Sequence, residues 1–327
     1  MRRREFVGIL ITAAGWSFGT WAQTSRRRKI GALLGVPEGD PEVRPRIAAF
    51  LSKLQEMGWK EGRDYNIDVR FGGSDAGRVR AYAKELVASS PEVILSQSNL
   101  ALASLLQETR DIPIVFTVVG DPVGSGFIKS LARPGGNATG FTSFEPPLVQ
   151  KWVQSLKQIA PRTEHAGILL HPETITNGIY LQVAKETSAT LGMAVTALGV
   201  HNASEIERAI NEFARQPNGG IVVFPNPITN EHRELIIGLT TRLRIPAVYA
   251  FGYFVSGGGL MSYGIDVVEL YKRAAIYVDR ILKGEKPSEL PVQQPDKFEL
   301  IINLKTAKAL GLAVPPNLIV AADQVIE

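Results

Sequence analysis

Cysteine is absent from the 327 residues. Its absence excludes disulfides, thiolate metal sites, a cysteine nucleophile and a lipid-bearing N-terminal cysteine. Histidine is scarce: only His165, His171, His201 and His232 occur, and no two of them share i,i+4 spacing, so the linear sequence offers no metal site. Charge is nearly balanced, with 36 Lys and Arg against 32 Asp and Glu and a net charge of +4. The basic run Arg26 to Lys29 lacks interleaved aromatics and reads as a solvated lead-in to a strand, so no nucleic-acid partner is expected. Cofactor loops are missing as well. No segment reads G-x-G-x-x-G after a strand or G-x-x-x-x-G-K-[ST], and Gly120 to Gly126 is glycine-rich with the wrong spacing for either. No nucleophile–base pair or poised pair of carboxylates can be picked out. Neither an enzyme nor a cofactor is expected.

What is present begins with MRRREFVGILITAAGWSFGTWAQ. Arg2, Arg3 and Arg4 precede an apolar run, Val7 to Trp21, shorter than the roughly 20 residues that span a bilayer. The run ends at Thr20-Trp21-Ala22, a small-x-small cleavage pattern. Residues 1–22 therefore read as an export signal peptide, and Arg3-Arg4-Glu5-Phe6-Val7 resembles the twin-arginine motif. Its removal takes away three Arg and one Glu and leaves a net charge of +2. Gly15-Trp16-Ser17-Phe18-Gly19 matches the G-x-S-x-G nucleophile elbow, but a leader supplies neither the strand before it nor the acid and base partners after it.

The hydrophobic fraction of 45% over this length suffices for two domains. From Lys29 onward, short apolar runs alternate with segments of helical period. Strands are expected at Lys29–Leu34, Tyr65–Phe71, Val93–Ser96 and Ile114–Val118, with helices carried by Ile47 to Leu54, Val79 to Val87 and Leu100 to Thr109. After the turn-rich Arg133 to Asn137 the rhythm restarts. Helices at Leu148–Ile159, Tyr180–Leu191, Ser204–Arg215 and Glu231–Leu243 separate strands at His165–Leu170, Ala194–Gly199, Gly220–Phe224 and Ala247–Phe251. A short strand Leu260–Tyr263 leads into a long helix Val267–Leu282. Gly284 to Pro291 reads as a linker, followed by strand Phe298–Asn303 and helix Leu304–Leu310. Two β/α alternations with unbroken apolar strands predict an α/β fold of two Rossmann-like, doubly wound lobes with parallel sheets.

Ligands of such sheets bind beyond the carboxyl ends of the strands. The segments there are Ser96 to Asn99, Val119 to Val123, His171 to Asn177, Pro225 to Pro227, Phe251 to Phe254 and Gly264 to Asp266. They carry hydroxyls, amides, acids and aromatic rings and no Lys or Arg. That set suits a small polar or zwitterionic ligand with an apolar part. Ser98 or Asn99 also fits an N-cap, Asp266 sits where a helix starts, and Phe251 and Tyr253 fit a core as well as a cavity wall.

Several motifs then come together: Val119 to Phe127 (VGDPVGSGF), Ala132 to Phe141 (ARPGGNATGF), Tyr263-Gly-Ile-Asp266, Asp279 to Gly284 (DRILKG) and Ile302 to Gly311 (INLKTAKALG). In this order and spacing they resemble the ABC transporter substrate-binding proteins of the TrpX-like group, from about Arg28 to Glu327. The resemblance implies a type I periplasmic-binding-protein architecture with three crossovers, near Gly140, Gly259 and Pro287. It divides the chain into one lobe at 29–140 plus 260–287 and another at 141–259 plus 288–327. It implies a periplasmic monomer that captures an amino acid or similar small carboxylate by hinge closure and presents it to an inner-membrane ABC permease. By motif, Ser98, Asn99 and Asp121 would contact the ligand from the first lobe, and Asn177 and Asn226 from the second. Asp266 would take an α-amino group, and Phe251 and Tyr253 would supply rings. A periplasmic sensor for a signalling receptor would have the same sequence features; an enzyme on the same scaffold is the less favoured alternative.

Overall fold

The computed structural model describes residues 27–327, so the expected export signal at 1–22 lies outside the described residues. The first half of the chain builds one sheet and its helices. They run β1 (Arg28–Leu34), α1 (Val43–Glu56), β2 (Tyr65–Phe71), α2 (Ala76–Ala88), β3 (Val93–Gln97), α3 (Asn99–Glu108), β4 (Ile114–Gly120) and β5 (Ala138–Phe144). All neighbours are parallel, in the order β2-β1-β3-β4-β5. Every residue of β3, β4 and β5 is buried, as parallel strands covered on both faces require.

The next stretch begins with α4 (Pro146–Ile159), β6 (His165–Leu170), α5 (Asn177–Thr190), β7 (Ala194–Gly199), α6 (Ala203–Phe213) and β8 (Gly219–Val223). It continues through α7 (Pro227–Glu231), α8 (Arg233–Arg242), β9 (Ala247–Tyr249), α9 (Gly252–Ser256), β10 (Met261–Gly264) and α10 (Val267–Leu282). A 3-10 turn at Pro287–Glu289 leads to β11 (Glu299–Asn303), α11 (Leu304–Ala309), α12 (Pro316–Ala321) and β12 (Gln324–Ile326). The second sheet has the order β12-β11-β10-β9-β8-β6-β7, parallel except for the antiparallel pair β10–β11. Helix α4 buries Leu148, Val149, Trp152, Val153, Leu156 and Ile159, one apolar stripe laid on this sheet. None of the helices among the described residues is long and apolar enough to cross a membrane.

The chain passes between the sheets at different points from those expected. Strand β5 remains in the first sheet, so the first passage follows Phe144 and not Gly140. Residues 260–287 do not move as a block. Strand β10 is hydrogen-bonded to β9 and β11 in the second sheet, whereas α10 packs on α1 and β4 of the first. Trp59, just beyond α1, donates its indole N–H to Asp279 of α10 at 2.8 Å. The second passage is therefore Ile265–Asp266. Gly264 has to be glycine here, because a Cβ would collide with the Ala250 carbonyl. The third passage lies beyond Gln293. The Pro-containing segment expected as a linker is anchored to the first lobe by Thr139 Oγ1 donating to Leu290 O at 2.7 Å, Val292 N to Leu131 O at 2.7 Å and Gln293 N to Gly140 O at 3.0 Å. Linker-like composition did not disclose these backbone bonds.

Other departures are local. The helix expected at Glu231–Leu243 is α8, and a further short helix, α7, precedes it and meets it at His232. The strand expected to reach Phe251 stops at Tyr249, and Phe251 precedes α9.

Asp266 closes the second passage by capping α10: its carboxylate accepts the N–H groups of Val268 at 2.8 Å and Glu269 at 3.2 Å. Asp266→Ala is expected to lower unfolding stability by about 1 kcal/mol, the usual worth of an N-cap, read as a shifted midpoint in urea.

Candidate functional site

The carboxyl ends of both sheets face one cavity of about 440 Å³. From the first lobe it is lined by Gln97, Ser98 and Asn99 at the end of β3, by Val118, Gly120 and Phe144, and by Ser74 and Arg80 around the start of α2. From the second lobe come His171 and Glu173 to Thr176 after β6, Tyr180 of α5, Pro225 to Ile228 and Asn230 after β8, and Phe251. The wall is aromatic. Phe144 packs edge-on against Phe251 with centroids 5.2 Å apart, and Tyr180 against Phe224 at 5.9 Å. Tyr180 donates its hydroxyl proton to Phe144 O at 2.6 Å, and burial keeps that phenol protonated by pushing its pKa well above the ordinary value. Burial also raises the Glu145 carboxyl above the usual range, at the first passage between lobes.

Two lining residues carry backbone strain. Ser98 has φ of 98° and Val118 φ of 53°, left-handed conformations that are uncommon outside glycine and unusual for a β-branched residue. Such strain clusters at ligand sites, where the surrounding structure holds it in place.

Of the residues expected at the site, Ser98, Asn99, Asn226 and Phe251 line the cavity; Asp121, Asn177, Tyr253 and Asp266 do not. Even among those that do, the amides are already bonded within the protein. Asn99 makes a reciprocal pair with Gly120, donating to its carbonyl and accepting its N–H, both at 2.9 Å. Asn226 caps α7 through Ile228 N at 2.9 Å and donates to Thr174 Oγ1 at 2.7 Å. Ser98 caps α3 through Ala101 N at 3.2 Å and retains its hydroxyl proton for the cavity. Phe251 is a wall, stacked on Tyr253 at 5.0 Å.

The other four serve local or interlobe roles. Asp121 accepts Gly124 N at 2.8 Å within its own loop. Asn177 donates to the carbonyl of His171. Asp266 is exposed and caps α10 through one carboxylate oxygen, Oδ1, and it is not among the residues that line the cavity. Tyr253 lies between two cations of opposite lobes, with Arg46 5.3 Å and Arg233 5.8 Å from its ring centre. Beside it Arg233 reaches across to Asp40 at 2.8 Å, both side chains largely buried. At another point of the interlobe contact, Ser74 donates its hydroxyl to Glu231 at 2.6 Å. These two contacts join lobe to lobe.

Two further lining residues, Gln97 and Asn230, were not singled out in the sequence. Gln97 Oε1 and Asn230 Oδ1 are buried carbonyl oxygens with no hydrogen-bond partner among the described residues. Gln97 is the last residue of β3, one position before the segment's more obvious Ser-Asn pair, and Asn230 lies inside α7. Phe144 ends β5, a strand the turn-rich sequence around it concealed. Arg80 reaches the cavity from α2, so no reading of strand-end loops alone finds it.

Spacing along the chain gave no sign of one further cluster. The donor atoms of His171, Glu173 and His201 all lie within 4.8 Å of one another. Burial lowers the pKa of His171, whereas hydrogen bonds donated to Glu205 and Glu173 raise that of His201.

The chain's relatives fit this arrangement. A tyrosine-binding protein of Clostridioides difficile strain R20291 is 26% identical over 269 residues, 80% of this chain and 75% of the relative. The ABC domain of Streptococcus pneumoniae in complex with L-Trp superposes with a TM-score of 0.84 at 25% identity, covering 92% of this chain and all, 100%, of that one. The ligand-free, open structure of a substrate-binding protein with adhesive properties from Clostridium difficile gives a TM-score of 0.66 at 25% identity, over 92% of this chain and 99% of that one. The family described as ABC transporter substrate binding protein matches residues 41–326. The chain belongs to that family of ABC transporter substrate-binding proteins.

Proposed function

We propose that the protein is the exported, periplasmic binding component of an ABC importer and captures an aromatic L-amino acid between its lobes. The observation that carries this reading is the cavity itself: rings from both lobes, Phe144 on one side and Tyr180 and Phe251 on the other, around buried polar groups. Its volume of about 440 Å³ falls within the roughly 300–1,000 Å³ of small-molecule sites. The relatives that bind tyrosine and L-Trp support the same ligand class. The Ser98 hydroxyl, the first-turn N–H groups of α3 and Arg80 are the donors for a carboxylate. Gln97 Oε1 and Asn230 Oδ1 are the acceptors for an ammonium group.

Capture works by closure. The lobes we propose are 27–144 plus 266–293 and 145–265 plus 294–327. Contacts made by ligand with both lobes favour the closed form, which a permease distinguishes from the open one. Support comes from the greater likeness to the L-Trp complex than to the ligand-free, open structure. Asp40–Arg233 and Ser74–Glu231 then act as contacts of the closed state. The binder works as a monomer, and no covalent step is required of it.

A thermal-shift screen of the 20 amino acids and small sugars tests the reading. Tryptophan, tyrosine or phenylalanine is expected to raise the melting temperature and sugars to leave it unchanged, because a ligand of the folded state stabilises by mass action. No shift with any aromatic amino acid, or turnover of the bound one, sinks it. Gln97→Ala and Asn230→Ala are expected to weaken binding roughly tenfold or more, since each removes a buried hydrogen-bonding group. Asp121→Ala and Asp266→Ala are expected to leave affinity within about twofold, because a loop cap and a helix cap away from the cavity touch no ligand.

Arg233→Ala probes closure, since Arg233 bonds Asp40 of the other lobe as well as the Asn230 carbonyl of its own. It is expected to weaken affinity by roughly tenfold or more, as the loss of a largely buried partner leaves Asp40 uncompensated only in the closed form. Calorimetry gives the affinity, and solution scattering of the ligand-bound variant should show a larger radius of gyration than the parent.

A further inference from the structure

His171 ends the segment carried by β6, Glu173 follows two residues on, and His201 comes just after β7. Strands β6 and β7 are paired in register up to Leu170 opposite Gly199, so their outgoing loops emerge side by side. The two imidazoles stand edge to face, with ring centres 5.2 Å apart. Glu173 reaches both, one carboxylate oxygen 3.2 Å from His171 Nδ1 and the other 2.9 Å from His201 Nε2.

The arrangement of His201 has a chemical consequence. Its Nδ1 faces Glu205 Oε2 at 2.8 Å, and Glu205 is itself fixed by accepting the backbone N–H of His201 at 2.9 Å and the Asn202 amide at 3.1 Å. A neutral imidazole that donates from Nδ1 to Glu205 presents a lone pair on Nε2. That lone pair points at the Glu173 carboxylate, which has only lone pairs to offer. A positive charge, a proton or a metal ion, must lie between them.

We propose that His171, Glu173 and His201 bind a divalent transition-metal ion of the zinc, cobalt or nickel class, with Glu205 positioning His201 in the ligating tautomer. Two imidazoles and a carboxylate are the donor set such ions take. Bonds of about 2.0–2.2 Å place neighbouring tetrahedral donors about 3.3–3.6 Å apart, slightly more than the two histidine–carboxylate separations and inside the 4.8 Å that encloses all three donors. Glu173 is mostly exposed, so its side chain is free to make that adjustment. A carboxylate behind a ligating histidine is the common outer-sphere arrangement at metal sites. Three protein ligands leave coordination positions open, and the site borders the cavity, because His171 and Glu173 line it. All three ligands belong to the second lobe, so the site does not require closure.

The test uses untagged, chelator-treated protein titrated with zinc chloride by calorimetry at pH 7.5, with no amino acid present, and with cobalt chloride followed by visible absorption. One-to-one zinc binding and the intense visible bands of four-coordinate cobalt are expected. His171→Ala and His201→Ala should each lower the zinc affinity at least about tenfold, and Glu205→Gln roughly 10- to 100-fold, the usual effect of removing an outer-sphere partner. His165→Ala should change nothing, and melting curves of the metal-free variants establish that each is folded. Absence of zinc binding at 100-fold excess overturns the proposal and leaves a proton as the bridging charge. Binding indifferent to both His171→Ala and His201→Ala overturns it equally. Because no amino acid is added, failure here leaves the transport reading untouched.

Discussion

Coverage of both faces of the two sheets is the constraint on which the rest depends. With β3, β4 and β5 wholly buried and helices packed on either side, backbone that needs polar partners or a ligand can emerge only at the strand ends. The carboxyl ends of both sheets are turned to the same gap, so the ends of β3, β4, β5, β6 and β8 supply one cavity between them. The core therefore decides where the site lies, and the loops decide what it holds.

The same constraint explains how much was legible in the sequence. Buried parallel strands are continuous apolar runs, so β1, β3, β4, β6 and β8 stand out from residues alone. Strand β5 does not: Ala-Thr-Gly-Phe-Thr-Ser-Phe is mixed in polarity, and it is buried between β4 and the returning segment at Gln293. Missing it misplaced the first passage between lobes and hid Phe144. The second passage was placed too early because β10 is only four residues long and gains its place by pairing with β11, some forty positions later in the chain. The short strand itself was legible, but the sheet it joins is set by pairing with a distant segment, which leaves no local trace.

Within the site, position was more legible than role. Strand-end segments were the right places to look, yet Asp121, Asn226 and Asp266 have their side chains bonded to adjacent backbone, and Asn99 is bonded to Gly120 of β4. Short polar side chains beside a turn or helix start reach the adjacent N–H groups before anything else. The groups that remain available are less conspicuous: a glutamine closing a strand, an asparagine within a short helix, and an arginine one turn into another. The two histidines at the rim were unrecognisable for a related reason. Thirty residues separate them in the chain, and only the register of β6 with β7 makes them neighbours.

The three passages between lobes, after Phe144, at Ile265–Asp266 and beyond Gln293, have a mechanical meaning. A single tether would leave two bodies free to twist and slide as well as bend. Three tethers, each pinned by backbone pairing or a helix cap at its ends, resist torsion and shear and leave bending about their common line as the soft direction. Gly264 and Asp266 sit on either side of one such tether, where the chain can neither take a side chain against Ala250 nor start α10 without a cap. If the lobes close as proposed, a joint of this kind would bring Arg233 to Asp40 and Ser74 to Glu231 together.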